Sequence, residues 1–362
     1  MINLDDQEKL KKLDNSNTYG SVEELAKQCI HAYDDANKIE VDQSYRRIDK
    51  IIMTGMGGSG LGARIIEGIY GLKLKIPFVH LHDYDLPAWA DEHTLVICSA
   101  FSGETEEPVQ TAKQAHEKRC KLMTIGSGGT IIELAKKYKA PFYQIIPTYN
   151  PSKQPRMAIG YSVVGQLVMV SKTGVIDFSK KEIDLMVKAM EKVVEENKVS
   201  IKIKDNPAKK IALKFYQKNI NFVASRHLVG AAHTTKNQAN ENAKSFSTIF
   251  EIPELNHHLM EGLKHPDSNK KDLIFYFAES DLYPERIKKR YAITEDVVDK
   301  NKVSFVAYKP KSSDPLAQVF EYVQFGGYVV YYLSMLNNLD PAPIPWVDYF
   351  KVKLGQSLGQ WK

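Results

Sequence analysis

Two loops in this sequence combine the residue types that hold a phosphate. Thr54-Gly55-Met56-Gly57-Gly58-Ser59-Gly60 follows an apolar run and opens a helix-like segment. Such a turn lets backbone N–H groups approach an anion, and the helix start adds about half a positive charge. Gly55, Gly57 and Gly60 also fit the G-x-G-x-x-G spacing of a dinucleotide loop, with Asp83 ending the next strand. A purely structural tight turn has the same composition. The second loop, Ser99-Ala100-Phe101-Ser102-Gly103-Glu104-Thr105-Glu106-Glu107, closes the run Leu95–Cys98 and starts a helix with Thr105 as its cap. A dinucleotide needs one loop for its pyrophosphate, whereas a sugar phosphate can use both as one cup. In that reading Ser59, Ser102 and Thr105 supply hydroxyls, and Gly57 and Gly58 supply amides. The turn Gly126-Ser127-Gly128-Gly129 reads as structural.

Four other places carry titratable or cationic groups. In Asn240-Glu241-Asn242-Ala243-Lys244 a carboxylate sits between amides and a lysine, on a helix whose apolar face reads Ala231, Ala232, Ala239, Ala243 and Phe246. A solvated helix glutamate has the same local pattern. Pro253-Glu254-Leu255-Asn256-His257-His258 offers two adjacent histidines facing different ways, and histidine exchanges protons near neutral pH. With Glu254 and Glu261 they match no zinc spacing. His80 and His82 alternate along a strand and read as structural. Arg156, after Gln154-Pro155, is a surface arginine or a fixed guanidinium at a sheet edge. In the last helix Val347, Phe350 and Leu354 form an apolar stripe on which Lys351 also falls, while Lys353 points away. A lysine on a buried side needs an oxygen partner or must snorkel out.

The elements that position these residues alternate as an α/β protein does. Residues 1–45 read as helical, with a capping box at Ser21-Val22-Glu23-Glu24. Ile51–Met56, Phe78–His82, Leu95–Ser99, Leu122–Ile125 and Phe142–Ile146 read as strands separated by helices, a parallel sheet covered on both faces. This first domain spans 46–176. Residues 177–210 read as a connecting amphipathic helix and a lysine-rich linker, Lys198–Lys210. A second domain, 211–362, carries strands at Asn221–Ala224, Leu273–Phe277 and Val303–Ala307, and helices near 231–246, 284–299 and 315–337. No sequence repeat relates the two. The 362 residues are 43% hydrophobic and 26% charged, a globular balance that excludes collagen, disordered tails and disulfide scaffolds. No apolar run reaches the roughly 18 residues of a membrane helix. The start shows no secretory pattern, and Cys29, Cys98 and Cys120 read as buried thiols of a cytoplasmic protein. A net charge of +5 suits anionic small molecules as well as nucleic acid. The basic run Arg286–Arg290 reads as a solvated helix face, so neither nucleic acid nor membrane is an expected partner.

Met56-Gly57-Gly58-Ser59-Gly60 followed by Phe101-Ser102-Gly103-Glu104-Thr105-Glu106-Glu107 resembles the sugar isomerase (SIS) domain. Gln154-Pro155-Arg156, Asn240-Glu241-Asn242-Ala243-Lys244, Pro253-Glu254-Leu255-Asn256-His257-His258 and the Asp340-Pro341 tail extend the resemblance to the bifunctional phosphoglucose/phosphomannose isomerases, from about residue 45 onward. That resemblance implies two SIS domains, each a flavodoxin-like parallel sheet flanked by helices. It implies a cofactor-free, metal-free aldose–ketose isomerase that interconverts fructose 6-phosphate with glucose and mannose 6-phosphates through a cis-enediol. It assigns Glu241 as the base, His257 as the ring-opening acid reaching a partner subunit's site in a homodimer, Arg156 as charge stabiliser and Lys351 as an active-site lysine. Ala100 stands where relatives often carry a serine, and Thr234 where an arginine is expected. The alternatives are a phosphosugar-sensing SIS module without catalysis and a nicotinamide oxidoreductase built on Gly55–Gly60. A sensor needs no base, and a dinucleotide needs no second cup loop.

Overall fold

The computed structural model describes residues 2–359. Strands β1 (Lys50–Thr54), β2 (Phe78–Leu81), β3 (Thr94–Ser99), β4 (Lys121–Gly126) and β5 (Phe142–Gln144) form one parallel sheet in the order β2-β1-β3-β4-β5. Ile51 sits between Phe78 and Leu95 in this register. Alternation puts Ile51, Met53, Leu95 and Ile97 into the main core, and Ile52, Val96 and Cys98 into a smaller core on the other face. A second parallel sheet contains β6 (Asn219–Ala224), β7 (Ser247–Glu251), β8 (Leu273–Ala278) and β9 (Ser304–Tyr308) in the order β7-β6-β8-β9. Both sheets therefore run second-first-third-fourth, a structural repeat with no trace in the sequence. β7 was not expected from the sequence: its residues Ser-Thr-Ile-Phe-Glu sit at the sheet edge with only Ser247 buried.

Two helices are apolar on every side. Ile159–Val170 is buried throughout, and so is Leu316–Leu336, as expected of helices without a solvent face. The latter packs against the helices Lys180–Asn197, Pro207–Phe215 and Val229–Glu241.

Several local expectations are corrected. Ser21 caps nothing: the helix Thr18–Glu23 starts at Asn17, whose side chain accepts from Gly20 N, and Ser21 Oγ instead donates to Ser152 Oγ at 2.8 Å. The segment Lys198–Lys210 is no free linker. Lys209 is fully buried, its ammonium held by Asp5 at 3.0 Å and by the carbonyls of Val199 and Ile201. Phe246 does not continue the alanine face of its helix; it lies beyond the helix end and is exposed. The last helix, Pro345–Ser357, buries only Gly355, so Val347 and Phe350 stand in solvent and Lys351 is exposed rather than sunk in an apolar face.

Candidate active site

The first sheet ends in a cup. After β1 the chain makes a tight turn, Gly57–Gly60, with Gly57 at φ +52°, a left-handed conformation that favours glycine. A β-carbon on Gly58 would come within 3.2 Å of Pro155 O and 3.3 Å of Arg156 Cα, so this glycine lets the Arg156 segment close on the turn. Ser59 Oγ accepts from Phe101 N at 3.0 Å and thereby joins the two loops; its own proton remains available to a ligand. Ser102 is exposed, and Thr105 stands at the N-cap of the helix Glu106–Glu117 without spending its hydroxyl on the helix. The expected hydroxyls therefore meet at one sheet edge. Ala100 is buried in the smaller core, and Ser99 does not replace it: Ser99 turns inward to Gln166. Thr234 bonds back to Gly230 O inside its helix and takes no part in the site.

The Gly126–Gly129 turn braces the cup from outside. Ser127 Oγ donates to Phe101 O at 2.7 Å, and Glu104 accepts from the Thr130 amide and hydroxyl.

Beside the cup lies a charged cluster. Arg156, 3% exposed, spends four of its five N–H bonds on the chain. Nε donates to Asn242 Oδ1, Nη1 to Gln154 Oε1 at 3.0 Å, and Nη2 to the carbonyls of Pro341 at 3.0 Å and Ala342 at 2.5 Å. The remaining Nη1 proton is on the nitrogen 3.8 Å from Glu241 Oε2. The Asp340-Pro341-Ala342 tail thus serves as the guanidinium's anchor. Glu241 is the last residue of the helix Val229–Glu241 and keeps 30% of its side chain exposed. Burial raises its carboxyl pKa above the usual range, although Arg156, Lys244, Lys351 and Lys236 all pull the other way. Lys244, left-handed at φ +51°, donates to Pro341 O at 3.0 Å and is pushed down to about 8 by desolvation and by Arg156. Lys351, though exposed, is close enough for its charge to act on Glu241.

His257 is elsewhere. It ends the turn Glu254–His257 that follows β7, whereas Asn240, next to Glu241, bonds Ser247 at the start of β7. The two residues therefore stand at opposite ends of a five-residue strand, about 13 Å of rise apart before either loop is counted. Asn256 pins the turn to Thr294 and Arg290 of the helix Glu285–Lys300, and His257 is exposed on the rim of a cleft of about 670 Å³.

Three buried glutamines do positioning work that motif reading missed. Gln166 Nε2 donates to Ser59 O at 2.8 Å, Gln28 Nε2 to Met157 O at 2.9 Å, and Gln238 Nε2 to Arg156 O at 3.0 Å. Gln166 did leave a signal, an isolated amide inside the apolar run Val163–Val170.

Paired parallel sheets, a hydroxyl-and-amide cup on one of them and a raised carboxylate against a buried guanidinium define a two-domain protein of the SIS type. Residues 204–354 match the model of the bacterial phospho-glucose isomerase C-terminal SIS domain. A bifunctional phosphoglucose/phosphomannose isomerase of Caldicellulosiruptor bescii is 33% identical over 93% of this chain and 99% of its own. Its counterpart in Thermoplasma volcanium is 31% identical over 88% and 96%. Among solved structures, a hypothetical protein of Thermus thermophilus superposes with a TM-score of 0.73 at 16% identity, covering 97% and 93% of the two chains. A glucose-6-phosphate isomerase like protein from the same organism reaches 0.62 at 15%, covering 96% and 100%. The chain belongs to the family of bifunctional phosphoglucose/phosphomannose isomerases. It is accordingly an aldose–ketose isomerase of phosphosugars, an intramolecular oxidoreductase.

Proposed function

We propose that the protein interconverts fructose 6-phosphate with glucose 6-phosphate and mannose 6-phosphate, using a homodimeric site in the cytoplasm. The observation that carries this reading is the raised carboxyl of Glu241 facing the one undonated N–H of Arg156, beside the Gly57–Ser59 turn. The first domain (46–176) holds the phosphate on Gly57, Gly58, Ser59, Ser102 and Thr105. The second (211–362) supplies Glu241, His257 and Lys351, which work with Arg156 of the first.

His257 protonates the ring oxygen and opens the sugar. Glu241 takes the proton from C1 of the open ketose, giving an enediolate. The Arg156 guanidinium stabilises the developing negative oxygen, with Lys351 adding charge from the last helix. The O1 hydroxyl proton passes to O2 as the C1 carbonyl forms, and Glu241 returns its proton to C2. Rotation about C2–C3 presents either face of the enediolate, so the same base yields both aldoses.

Because His257 stands at the far end of β7 from Glu241, it acts on the site of the partner subunit. Exposed aromatics support a second copy: Trp346, Tyr349 and Phe350 project from the last helix at 81%, 57% and 62% exposure.

The test is an NMR time course of fructose 6-phosphate with the enzyme in deuterated water. Glucose and mannose 6-phosphates should appear with deuterium at C2. Glu241→Gln should be slower by about 10³ or more. If the sugar persists unchanged while it still protects the protein from unfolding, the non-catalytic sensor replaces the isomerase.

A further inference from the structure

A second set of basic side chains gathers at the edge of the cup. His80, on β2, and His82, one residue past its end, have ring centroids 3.7 Å apart, and Arg64 Nη2 lies 2.9 Å from His82 Nε2. His233 and Lys236 join them from the helix Val229–Glu241, close enough for Arg64 to act on both. The opposing charges on Arg64 are Glu67 and Glu251, felt through space. Both ring nitrogens of His80 are out of solvent and bond to no side chain among the described residues, with the Gly55 backbone acting on the ring. Desolvation, with the neighbouring bases adding to it, pushes His80 and His233 down to about 3 and lowers Arg64, His82 and Lys236 as well. Five bases held together at such a cost to their charged forms are the arrangement an anion relieves.

The set is continuous with the cup. A β-carbon on Gly60 would lie 3.2 Å from His80 Nε2, and the turn from Gly57 to Gly60 rises only about 6 Å. Two phosphoryl groups sharing one anhydride oxygen span such a length. Arg64, half-buried, and His82, exposed, stand open to a ligand arriving from solvent.

We propose that Arg64, His80, His82 and His233 form a second anion subsite, so that the site takes diphosphates as competitive ligands, one phosphoryl in the cup and the other on this cluster. The inference rests on the cup's being the substrate phosphate site. A monoester such as fructose 6-phosphate leaves the subsite empty. The subsite therefore discriminates among ligands without entering the isomerisation.

The experiment measures inhibition of fructose 6-phosphate isomerisation by orthophosphate and by pyrophosphate, in chelator-treated buffer free of divalent metal. Pyrophosphate should compete with an inhibition constant about tenfold or more below that of orthophosphate, as two further charge-assisted contacts imply. In Arg64→Gln/His82→Gln the two constants should converge within about twofold, with the substrate KM and the orthophosphate constant little changed. His82→Gln alone, at an exposed position, should show part of that convergence if the double variant folds poorly. Adenosine diphosphate binding as tightly as pyrophosphate would support a nucleotide as the natural ligand, and weaker binding would support the inorganic ion. Equal inhibition by the two ions in the wild type, or an advantage that survives both substitutions, overturns the subsite. Orthophosphate that does not compete at all overturns the cup, which is a separate failure.

Discussion

The cup on the first sheet and the carboxylate at the end of the Val229–Glu241 helix hold their polar groups in opposite ways. In the cup the loops are tied before any ligand arrives: Ser59 to Phe101 N, the turn to Gln166, the second loop to Ser127. Glu241 is met by charge rather than by fixed hydrogen bonds, with Arg156 at 3.8 Å and three lysines beyond. A phosphate is the same ion throughout the reaction, so a rigid cup suits it. A base must change charge, and a carboxylate already satisfied by hydrogen bonds would hold its negative form too firmly to accept a proton. His257 extends the contrast, since it sits exposed at the other end of β7. In the proposed mechanism binding is completed within one chain, and proton transfer to the ring is left to a second.

The sharpest way to break this division is to separate its two proton-handling residues. His257→Gln should lower the rate by about 10² to 10⁴, as loss of a general acid does. Mixing it with Glu241→Gln after co-refolding should restore about one quarter of wild-type activity, because half the dimers are mixed and one of their two sites is intact. Turnover by the mixture is the readout. No recovery from mixed dimers shown to form would place His257 in its own chain's site, or outside the mechanism.

Arg156→Met attacks the join between the two halves. The substitution leaves the carbonyls of Pro341 and Ala342 and the amides of Gln154 and Asn242 without their donor. A stability loss of about 2–4 kcal/mol in urea unfolding is expected, with a rate loss of about 10². Arg156→Lys should recover little, since an ammonium cannot reach four acceptors arranged around a planar fork. Full activity in Arg156→Lys would reduce the guanidinium to a point charge.

What was legible in the sequence follows the same line. Loops announce themselves by composition, and the Gly57–Ser59 and Ser102–Thr105 motifs land where their residues suggested. Interior strands were equally plain, because β1, β3 and β8 are nearly continuous apolar runs. β7 was lost because an edge strand with one buried residue has no such run. Lys351 was placed in an apolar face on periodicity alone. Its helix is periodic yet lies on the surface, and periodicity cannot say what, if anything, covers a stripe. Gln28 and Gln238 were invisible as positioning residues because their partners are backbone carbonyls far away in the chain, and Gln166 showed only as a lone amide in an apolar run.

Gln166→Leu sharpens the description of the cup. The side chain is buried and donates to Ser59 O, Ser99 Oγ and Ser162 Oγ. Leucine fills much the same volume but supplies no donor, so the Gly57–Gly60 turn should loosen without the helix unfolding. KM for fructose 6-phosphate should rise about five- to tenfold while kcat stays within about twofold, the pattern of lost uniform binding. A fall in kcat at constant KM would instead mean that the cup positions the sugar for proton transfer.

Lys244→Met probes the other side of the comparison with the smallest effect. Lys244 lowers the Glu241 pKa while desolvation raises it, so removing the ammonium should lift the carboxyl further above its usual range. The base works ionised, and the acid limb of the kcat/KM profile should therefore move to higher pH. Activity at the plateau should change only a few-fold, because Arg156 still faces the enediolate. Lys244 itself titrates at about 8, so a wild-type alkaline limb near that pH should flatten in the variant. An unmoved acid limb would mean that the ammonium's bonds to the tail carbonyls matter more than its charge, and that Glu241 is tuned by burial and Arg156 alone.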